Sequence, residues 1–471
     1  ERVQACMAAV EQELYKLGVP ITTRHNEVAP SQYEMAPMYE DTDVAVDHNQ
    51  LVMATLRRIA ERHGFHALLH EKPFAGVNGS GKHVNWSVAL AATNPELDGF
   101  NLLKPGGTPH ANVRFLLVLA AVLQAVYRHQ GLLRASVATA PNEHRLGANE
   151  APPAIMSAFV GEALTRMIEE IIAGKVNPKN AEQAMLQLGV DKLPEIARDN
   201  TDRNRTSPFA FTGNKFEFRA VGSSQSIAFP VTVLNAAVAE ALGELTDALK
   251  KEMKGKSKDE VDDAVLRVVR ASFKESTPIR FEGNGYSPEW VKEAAKRGLL
   301  NLPNTPEALE QLRTPHARKL FSSLGVLTEA ELESRYHVRL ERYIKDILIE
   351  AHTLIEMVDT MVVPAALTYA GSLARAAREA TEAGIKSNPH IAEANRVGAM
   401  IEQLDSGRTA LRDALAKAEA MHDDAETLAG FLTHDVKDMM LEIRKCSDAL
   451  EMALPDEQWP LPKYREMLFP V

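Results

Sequence analysis

The sequence predicts a protein of mixed helices and strands whose last third is helical. Segments that alternate polar and apolar residues, at 26–29, 33–38, 84–90 and 215–220, are interleaved with helical runs such as 112–129. This pattern is typical of an α+β or α/β fold. From about Thr328 onward glycine is scarce, and Leu, Ile, Met and Ala recur at helical spacing. The C-terminal third should therefore form a helical bundle.

Length and composition are those of a large globular protein. With 471 residues, of which 45% are hydrophobic and 25% charged, the chain can bury a large core and should divide into two or more structural units. A net charge of −11 and a pI near 5.8 argue against a nucleic-acid-binding protein. No uninterrupted apolar run reaches the roughly 18 residues of a membrane-spanning helix, so a membrane protein is not expected.

The cysteines and the first residues indicate the cellular compartment. Cys6 and Cys446 lie far apart and offer neither a disulfide framework nor a metal-ligand spacing, which fits a reducing cytoplasm. The chain begins at Glu1, and its first stretch has the pattern of an amphipathic helix without a signal peptide. We expect the natural start to be missing.

Three local signals predict how helices begin and end. Thr328, with Glu331 three residues later, resembles a capping box and predicts a helix start. Pro364 should kink or break the helical pattern around it. The highly charged residues 250–263 are expected to form a solvated helix or a mobile surface segment.

The first candidate site is a pair of glutamates on either side of a predicted turn. If Pro30 and Ser31 form a two-residue turn, Glu27 lies directly opposite Glu34 in a hairpin. Two like charges in that position destabilise the hairpin unless a cation lies between them. Mg²⁺ and Mn²⁺ prefer carboxylate oxygens. The segment therefore predicts a divalent-metal site, with two solvated surface glutamates as the alternative.

Residues 76–83 nearly match the phosphate-binding pattern G-x-x-x-x-G-K-[ST], but His83 occupies the position of the required hydroxyl residue. The residues that follow alternate like a strand, whereas a P-loop requires a helix, so the P-loop interpretation is rejected. In a strand, His83, Asn85 and Ser87 share one polar face suited to ligands. The alternative for His83 is a hydrogen-bonded structural histidine.

A second polar strand face is predicted at residues 215–219. Alternation places Lys215, Glu217 and Arg219 on one side, opposite Phe216 and Phe218. Arginine binds carboxylates and phosphates bidentately, which suits both anion binding and neutralisation of transition-state charge. A structural ion pair between Glu217 and Arg219 is the alternative.

Residues 142–153 contain Gly, Asn and a double Pro, which predict a loop. Arg145 and Glu150 should project from this mobile segment, which could close over a site. An ordinary surface connection is equally compatible with the pattern.

Taken together, these segments resemble the glutamine synthetase family, from about Arg24 to Gly222. The runs N-E-V-A-P, N-G-S-G-K-H, R-L-G-A-N-E-A-P and N-R-T-S occur in the family's order and are most similar to its type III branch. The long helical C-terminal region also resembles that branch. The resemblance implies an α+β fold with two parts. Residues 1–325 would form a catalytic barrel of antiparallel strands surrounded by helices, and residues 326–471 a type III-specific helical region.

The resemblance also assigns roles position by position. It makes Glu27 and Glu34 ligands of one metal ion, and His83 and Glu217 ligands of the other. The residues that would hold glutamate are Asn78, Gly79, Arg145 and Arg219. Those that would lie by ATP are Asn85, Ser87 and Arg205, of which Arg205 would also neutralise charge during catalysis. Glu150 would lie on a flap over the ammonium site and take a proton from ammonium.

The implied activity is the ligation of ammonia to glutamate, with ATP and two or more Mg²⁺ or Mn²⁺ ions. The glutamate γ-carboxylate would attack the γ-phosphate of ATP, and ammonia would then displace phosphate from γ-glutamyl phosphate. The flap would exclude water from the acyl phosphate. The implied assembly is a cytoplasmic homo-oligomer, a dodecamer of two hexameric rings, without nucleic acid or membrane as a partner.

Two departures from the family pattern bear on activity. In the family, a small β-grasp domain and a strand with an E-x-E pair precede the first matching segment, and neither is in these 471 residues. Two ligands for each metal ion are too few, and that strand would complete both sites. The family's active site also takes an acidic residue from a neighbouring subunit's small domain. We therefore expect this piece alone to be inactive.

Functions of two other kinds are alternatives to glutamine synthesis. A guanidino kinase or a glutamate–cysteine ligase would share the broad architecture and ATP chemistry, but the full set of segments favours glutamine synthetase. A non-catalytic assembly or nitrogen-sensing module is an alternative from a different class. An upstream E-x-E in the intact gene would favour the enzyme, and a natural start at this point would favour the module.

Overall fold

The computed structural model describes residues 1–91, 93, 98–106, 109–148, 151–175, 207–257, 260–386 and 389–469. The chain divides into two compact units, Glu1–Ser334 and Arg335–Val471. The predicted boundary after residue 325 lies near this division. The assignment of a separate role to each part stays a prediction.

The first unit contains eight strands and eleven α-helices among its described residues. The strands are β1 (Ile21–Asn26), β2 (Tyr33–Pro37), β3 (Gly81–Trp86), β4 (Ala89–Leu90), β5 (Phe100–Asn101), β6 (Ala158–Phe159), β7 (Phe209–Phe211) and β8 (Phe216–Gly222). The helices are α1 (Arg2–Lys16), α2 (Thr42–Arg62), α3 (Pro109–Arg128), α4 (Gln130–Ser136), α5 (Ala140–Arg145), α6 (Glu162–Ile172), α7 (Ala228–Met253), α8 (Val261–Glu275), α9 (Pro288–Lys296), α10 (Thr305–Leu309) and α11 (Pro315–Ser323).

Helix α1 anchors the N-terminal hairpin. Its apolar residues recur at helical spacing, so that one face is buried. This face packs with α2 and β1 in a hydrophobic cluster that includes Val10, Leu14, Ile21 and Ile59. Ile21 is the one buried residue of β1. The hairpin is thus fixed at its base, while its polar end stays accessible.

The central sheet has the strand order β3-β8-β7-β6. Neighbouring strands are antiparallel except β6 and β7, which are parallel. Phe216 and Phe218 are fully buried and contact the ring of Phe209 on the next strand. Strand β3 directly follows the glycine-rich residues 76–80, which confirms that no P-loop helix begins there.

Helices α3, α7 and α8 pack against one another and form much of the first unit's core. By length and composition, α7 could cross a membrane, as could α3 with α4 if that pair, bent by 75°, is counted as one span. Half of the apolar stretch of α7 (50%) is buried inside the protein, as in the core helix of a globular protein.

The second unit is helical throughout its described residues. Its helices are α12 (Glu329–Met357), which begins six residues before the unit, α13 (Val363–Glu382), α14 (Pro389–Glu419), α15 (Ala425–Phe431), α16 (Lys437–Ala453) and α17 (Tyr464–Leu468). Two π-helical turns, Val358–Val362 and Leu432–Val436, join α12 to α13 and α15 to α16. Core residues such as Leu404, Leu411 and Leu432 are fully buried.

The local helix signals are confirmed. The Thr328 hydroxyl accepts a hydrogen bond from the Glu331 backbone at 3.2 Å, and the Glu331 carboxylate accepts one from the Thr328 backbone at 2.8 Å. These reciprocal bonds form a capping box. Pro364 follows the first π-helical turn. Proline lacks a donor and clashes with the preceding turn, which accounts for the change from α- to π-helical geometry there, while the chain stays helical.

The mixed fold and the helical last third are confirmed, with 64% of the described residues in helices and 8% in strands. One detail is not: the described strands form a four-stranded sheet and two two-stranded sheets, and they do not close a barrel. Within residues 250–263, apart from 258 and 259, the chain forms the end of α7, a connection and the start of α8.

Candidate functional site

The hairpin β1–β2 pairs in a different register from the predicted one. His25 lies opposite Glu34, and the backbone nitrogen of Glu27 donates to the carbonyl oxygen of Gln32 at 2.9 Å. The prediction that Glu27 lies directly opposite Glu34 is therefore wrong. The turn takes four residues, 28–31, instead of two, and Ser31 adopts a left-handed conformation with φ 56°. The longer turn shifts the partner strand by two positions.

A shift of two positions keeps every side chain on its original face of the hairpin. Glu27 and Glu34 therefore remain neighbours, and His25 joins them. The Nε2 atom of His25 lies 3.1 Å from Oε1 of Glu27 and 3.4 Å from Oε2 of Glu34. One ligand atom from each side chain lies within 4.8 Å of the others, close enough to share one metal ion. Sequence reasoning missed His25, although strand alternation places it on the face of Glu27.

Carboxylate crowding changes the acidity of this group. Desolvation, a hydrogen bond to Glu27 and the charges of Glu27 and Glu217 together raise the pKa of Glu34 to about 7. His25 opposes the rise. A divalent cation would reverse the shift, because it favours the ionised carboxylate. Carboxylate oxygens and an imidazole nitrogen thus make a donor set that fits Mg²⁺ or Mn²⁺.

The predicted polar face of the central sheet is present on β3 and β8. Asn85 lies directly opposite Glu217, while Phe216 and Phe218 are buried on the other side. The ladder is irregular between Lys82 and Val84. His83 therefore lies at a bulge, a feature that re-aims a side chain and is frequent beside active sites.

His83 connects this face to the hairpin. Desolvation, followed by the charges of Arg219 and Arg145, lowers the pKa of His83 to about 4, and the charge of Glu27 opposes this shift. His83 is nevertheless solvent-accessible, so a ligand can reach it. At neutral pH the imidazole is uncharged, which is the form that binds metal ions. The charge of Glu27 acts on His83, so the hairpin and the polar face of the sheet lie near each other.

Arg145 and Arg219 provide positive charge under this site. Arg145 is 2% exposed and Arg219 1%. The Nη2 atom of Arg145 donates to the carbonyl oxygen of Arg219 at 2.9 Å, and Nη1 donates to that of Val221 at 3.4 Å. The expectation that Arg145 projects from a mobile loop is therefore wrong. Arg145 ends helix α5, and Asn142 of the same helix donates to Ala220 of β8 at 2.9 Å.

Two glycines make room for the Arg145 side chain. A Cβ atom on Gly81 would overlap the Arg145 guanidinium, and one on Gly79 would lie 3.0 Å from Cγ of Arg145 and 2.9 Å from the carbonyl oxygen of Glu71. Larger residues would displace the guanidinium. The Gly79 backbone also contacts the hairpin, since its carbonyl oxygen accepts a hydrogen bond from Nε2 of Gln32 at 2.8 Å.

The remaining predicted site residues differ in exposure and in their position relative to the strands. Asn78 is half-buried beside Gly79, and Asn85 is exposed. Ser87 is exposed but lies between β3 and β4, because the predicted strand over residues 84–90 is two separate strands. Glu150 and Arg205 lie outside the described residues.

Sequence reasoning also missed Glu71, which is fully buried at 0% exposure. Its Oε1 accepts hydrogen bonds from the backbone nitrogen of Ser224 at 3.0 Å and from its hydroxyl at 2.8 Å. Burial lowers the pKa of Lys82 to about 8, and the charge of Glu71 opposes this shift. No local pattern distinguishes Glu71 from a surface glutamate, because its partners lie about 150 residues later in the chain.

Comparisons with known proteins bear on this site. The profile of the glutamine synthetase catalytic domain matches residues 1–102, and that of the glutamine synthetase C-terminal domain matches residues 264–381. The type-3 glutamine synthetase of Dictyostelium discoideum is 44% identical over 474 residues, which cover 99% of this chain and 63% of that protein. The glutamine synthetase of Bacteroides fragilis is 43% identical over 476 residues, with coverage of 99% and 64%.

The chain spans less than two thirds of the length of these curated relatives. A solved structure of apo GmaS without ligand has a TM-score of 0.42 and 17% sequence identity, and the match covers 72% of this chain and 59% of that one. At that score the likeness has no weight for fold or site.

Proposed function

The chain belongs to the glutamine synthetase family, and from this membership we propose that the protein joins ammonia to the γ-carboxylate of glutamate, with ATP as the phosphate donor. One observation carries the proposal for this chain: carboxylates and imidazoles from the hairpin and the sheet converge beside two buried arginines. Metal-binding side chains next to fixed positive charge suit a reaction between an anionic acceptor and a nucleotide triphosphate.

The metal ions proposed are Mg²⁺ or Mn²⁺, at two or more positions. Glu27 and Glu34 would hold one ion, with His25 close enough to contribute a nitrogen. His83 and Glu217 would hold another. When bound, such ions would neutralise phosphate charge and polarise the group under attack.

Glutamate and ATP are assigned to the two ends of the polar face. Asn78, Gly79, Arg145 and Arg219 would hold glutamate. Support comes from the two buried guanidinium groups. Carbonyl oxygens of β8 accept hydrogen bonds from Arg145, and the carbonyl oxygen of Ser207 accepts one from Arg219. The residues proposed for the ATP side are Asn85, Ser87 and Arg205.

The reaction proceeds in two displacements. An oxygen of the glutamate γ-carboxylate attacks the γ-phosphorus of ATP, and ADP leaves. Ammonia then attacks the carbonyl carbon of γ-glutamyl phosphate, and inorganic phosphate leaves with the bonding electrons. Glu150 is proposed to accept the proton that ammonium must lose before its nitrogen can attack. Arg205 is proposed to neutralise charge on the transferred phosphoryl group.

The proposed setting is a cytoplasmic homo-oligomer of the type III branch, a dodecamer of two hexameric rings. Two buried free cysteines fit a reducing compartment. Residues 326–471 are proposed as the type III-specific region, within which core residues such as Leu404 and Leu411 support an independently packed helical unit.

The test removes one proposed metal ligand from the intact protein. Glu27→Ala should weaken Mn²⁺ binding and abolish γ-glutamyl transfer, because the remaining carboxylate cannot hold the ion alone. The matched control is Glu61→Ala, which changes an exposed glutamate of α2 and should leave both unchanged. Normal metal affinity and activity in Glu27→Ala would refute the assigned role.

A further inference from the structure

A second group of potential metal ligands lies among the helices of the first unit. His129 occupies the junction between α3 and α4, Glu240 belongs to α7, and His316 belongs to α11. The Nε2 atom of His129 lies 2.8 Å from Oε2 of Glu240. The imidazole rings of His129 and His316 stack with centroids 4.4 Å apart and planes 18° from parallel. One ligand atom of each residue lies within 4.8 Å of the other two.

Burial decreases stepwise across this group. His129 is 1% exposed, the Glu240 side chain 19%, and His316 is exposed. One side of the group, at His129, is therefore buried, and the other side, at His316, faces solvent. An ion could enter from solvent and reach a desolvated ligand. Arg128, the nearest cation in sequence, pairs with Glu244 and Glu275, so its charge is compensated outside the group.

The buried histidine of this group has a ring nitrogen whose hydrogen-bonding capacity is not used. Within the described part of the chain, Nδ1 of His129 is buried and has no hydrogen-bond partner. A buried polar atom without a partner costs free energy, and each such atom in a native protein needs an explanation. The contact with Glu240 satisfies the other ring nitrogen of His129, Nε2. It does not explain why a second imidazole lies within ligand distance of both groups.

We propose that His129, Glu240 and His316 bind one Zn²⁺ ion at a site separate from the hairpin and the polar sheet face. Two imidazoles and one carboxylate form a set that zinc uses, with a position left for water. Imidazole ligands select zinc and similar transition metals over magnesium, which prefers oxygen. Desolvation is the largest cause that lowers the pKa of His129, so its ring is available in the neutral, metal-binding form.

Binding would connect three segments that are distant in the chain. His129 and Glu240 are 111 residues apart, and α11 lies beyond both. An ion that binds the folded state alone shifts the folding equilibrium by mass action. Zn²⁺ should therefore raise the unfolding temperature of the first unit, and the increase should depend on zinc concentration.

The experiment titrates Zn²⁺ into the intact protein in excess Mg²⁺, with His25→Ala and His83→Ala combined as the background so that the first candidate site contributes no imidazole. Exposed His316 is the residue to replace, since His316→Ala should fold normally. We expect this variant to lose at least about 100-fold in affinity for one Zn²⁺, because even partners outside the ligand set are worth 10- to 100-fold. Glu240→Gln should show the same loss.

The matched control is His63→Ala, which removes another exposed histidine and should retain full zinc affinity. A second measurement uses Co²⁺, whose absorption spectrum reports imidazole ligation; the signal should appear in the control and be lost in His316→Ala. Equal zinc affinity in His316→Ala and the control would overturn the proposal. So would displacement of Zn²⁺ by Mg²⁺, because it would assign the binding to an oxygen-rich site.

Discussion

At the scale of single residues, the backbone of Gly81 packs closely against the Arg145 guanidinium. The guanidinium occupies the space that a side chain at Gly81 would need, and it is held by carbonyl oxygens of β8. Its position therefore depends on the absence of a single methyl group. Backbone sterics at Gly81 therefore determine where this buried positive charge lies.

Replacing Gly81 with alanine should displace Arg145 and destabilise the protein by about 1–3 kcal/mol, the usual cost of overpacking. The control is Gly243→Ala in α7, where a Cβ atom would meet nothing within 4 Å. Alanine favours helix there and should add about 0.5–1 kcal/mol. Urea unfolding of both variants measures the difference. Equal stability of the two variants would contradict the packing argument.

Glu34 should make metal binding depend on pH. Its pKa of about 7 lies above the ordinary value of 4.5. In the metal-free protein its contribution to stability is present below pH 4.5 and is lost as the pH rises through about 7. Mn²⁺ displaces the proton, so affinity should rise about tenfold per pH unit up to about pH 7 and then level off. His83, with a pKa of about 4, stays neutral in this range.

Calorimetric titration of Mn²⁺ between pH 5.5 and 8 measures this dependence in the wild type and in Glu34→Gln. The glutamine side chain cannot titrate, so its variant should bind weakly with a much shallower slope. An equally steep slope in Glu34→Gln would assign the proton to another group.

At the scale of secondary-structure elements, hairpin register determines which potential metal ligands lie together. In the observed register Asn26 lies opposite Tyr33, whereas the shorter predicted turn would place Val28 there. The two arrangements differ by two positions. They keep the same faces but bring different ligands together, and in the observed one His25 joins the glutamates.

Cysteine pairs can distinguish the two registers. Directly opposed residues in an antiparallel pair have Cα atoms about 4.5–5.5 Å apart, within the range of a disulfide. Asn26→Cys combined with Tyr33→Cys should therefore form a disulfide on mild oxidation, whereas Val28→Cys with Tyr33→Cys should not. Peptide mapping under non-reducing conditions measures both. Preferential bonding of the second pair would restore the shorter turn.

At the scale of the whole molecule, the chain contains two compact units, each with its own buried core. Compact units of this kind usually unfold cooperatively as separate bodies. Leu234 in the first unit and Leu404 in the second are both fully buried at 0% exposure. They offer matched sites for probing each core.

Leu234→Ala and Leu404→Ala should each cost about 2–5 kcal/mol through lost burial and an unfilled cavity. Differential scanning calorimetry should resolve two transitions, and each substitution should lower the midpoint of one while leaving the other in place. The wild type measured under the same conditions is the reference. If both substitutions lower one shared transition, the units unfold as a single cooperative body.

The sequence by itself determined features that depend on neighbours in the chain. Alternation placed Phe216 and Phe218 inside and Glu217 on the polar face, and the spacing of Thr328 and Glu331 specified a helix start. These predictions succeeded because strand and helix periodicity act over a few residues. The family motifs identified the same polar face from residue types alone.

Tertiary structure alone decided which distant groups meet. Packing of α5 on β8 buried Arg145. The approach of His129 to Glu240 joins residues that are 111 positions apart. Burial and hydrogen bonding over such separations depend on the packing of whole elements, so periodicity within a short segment contains no information about them.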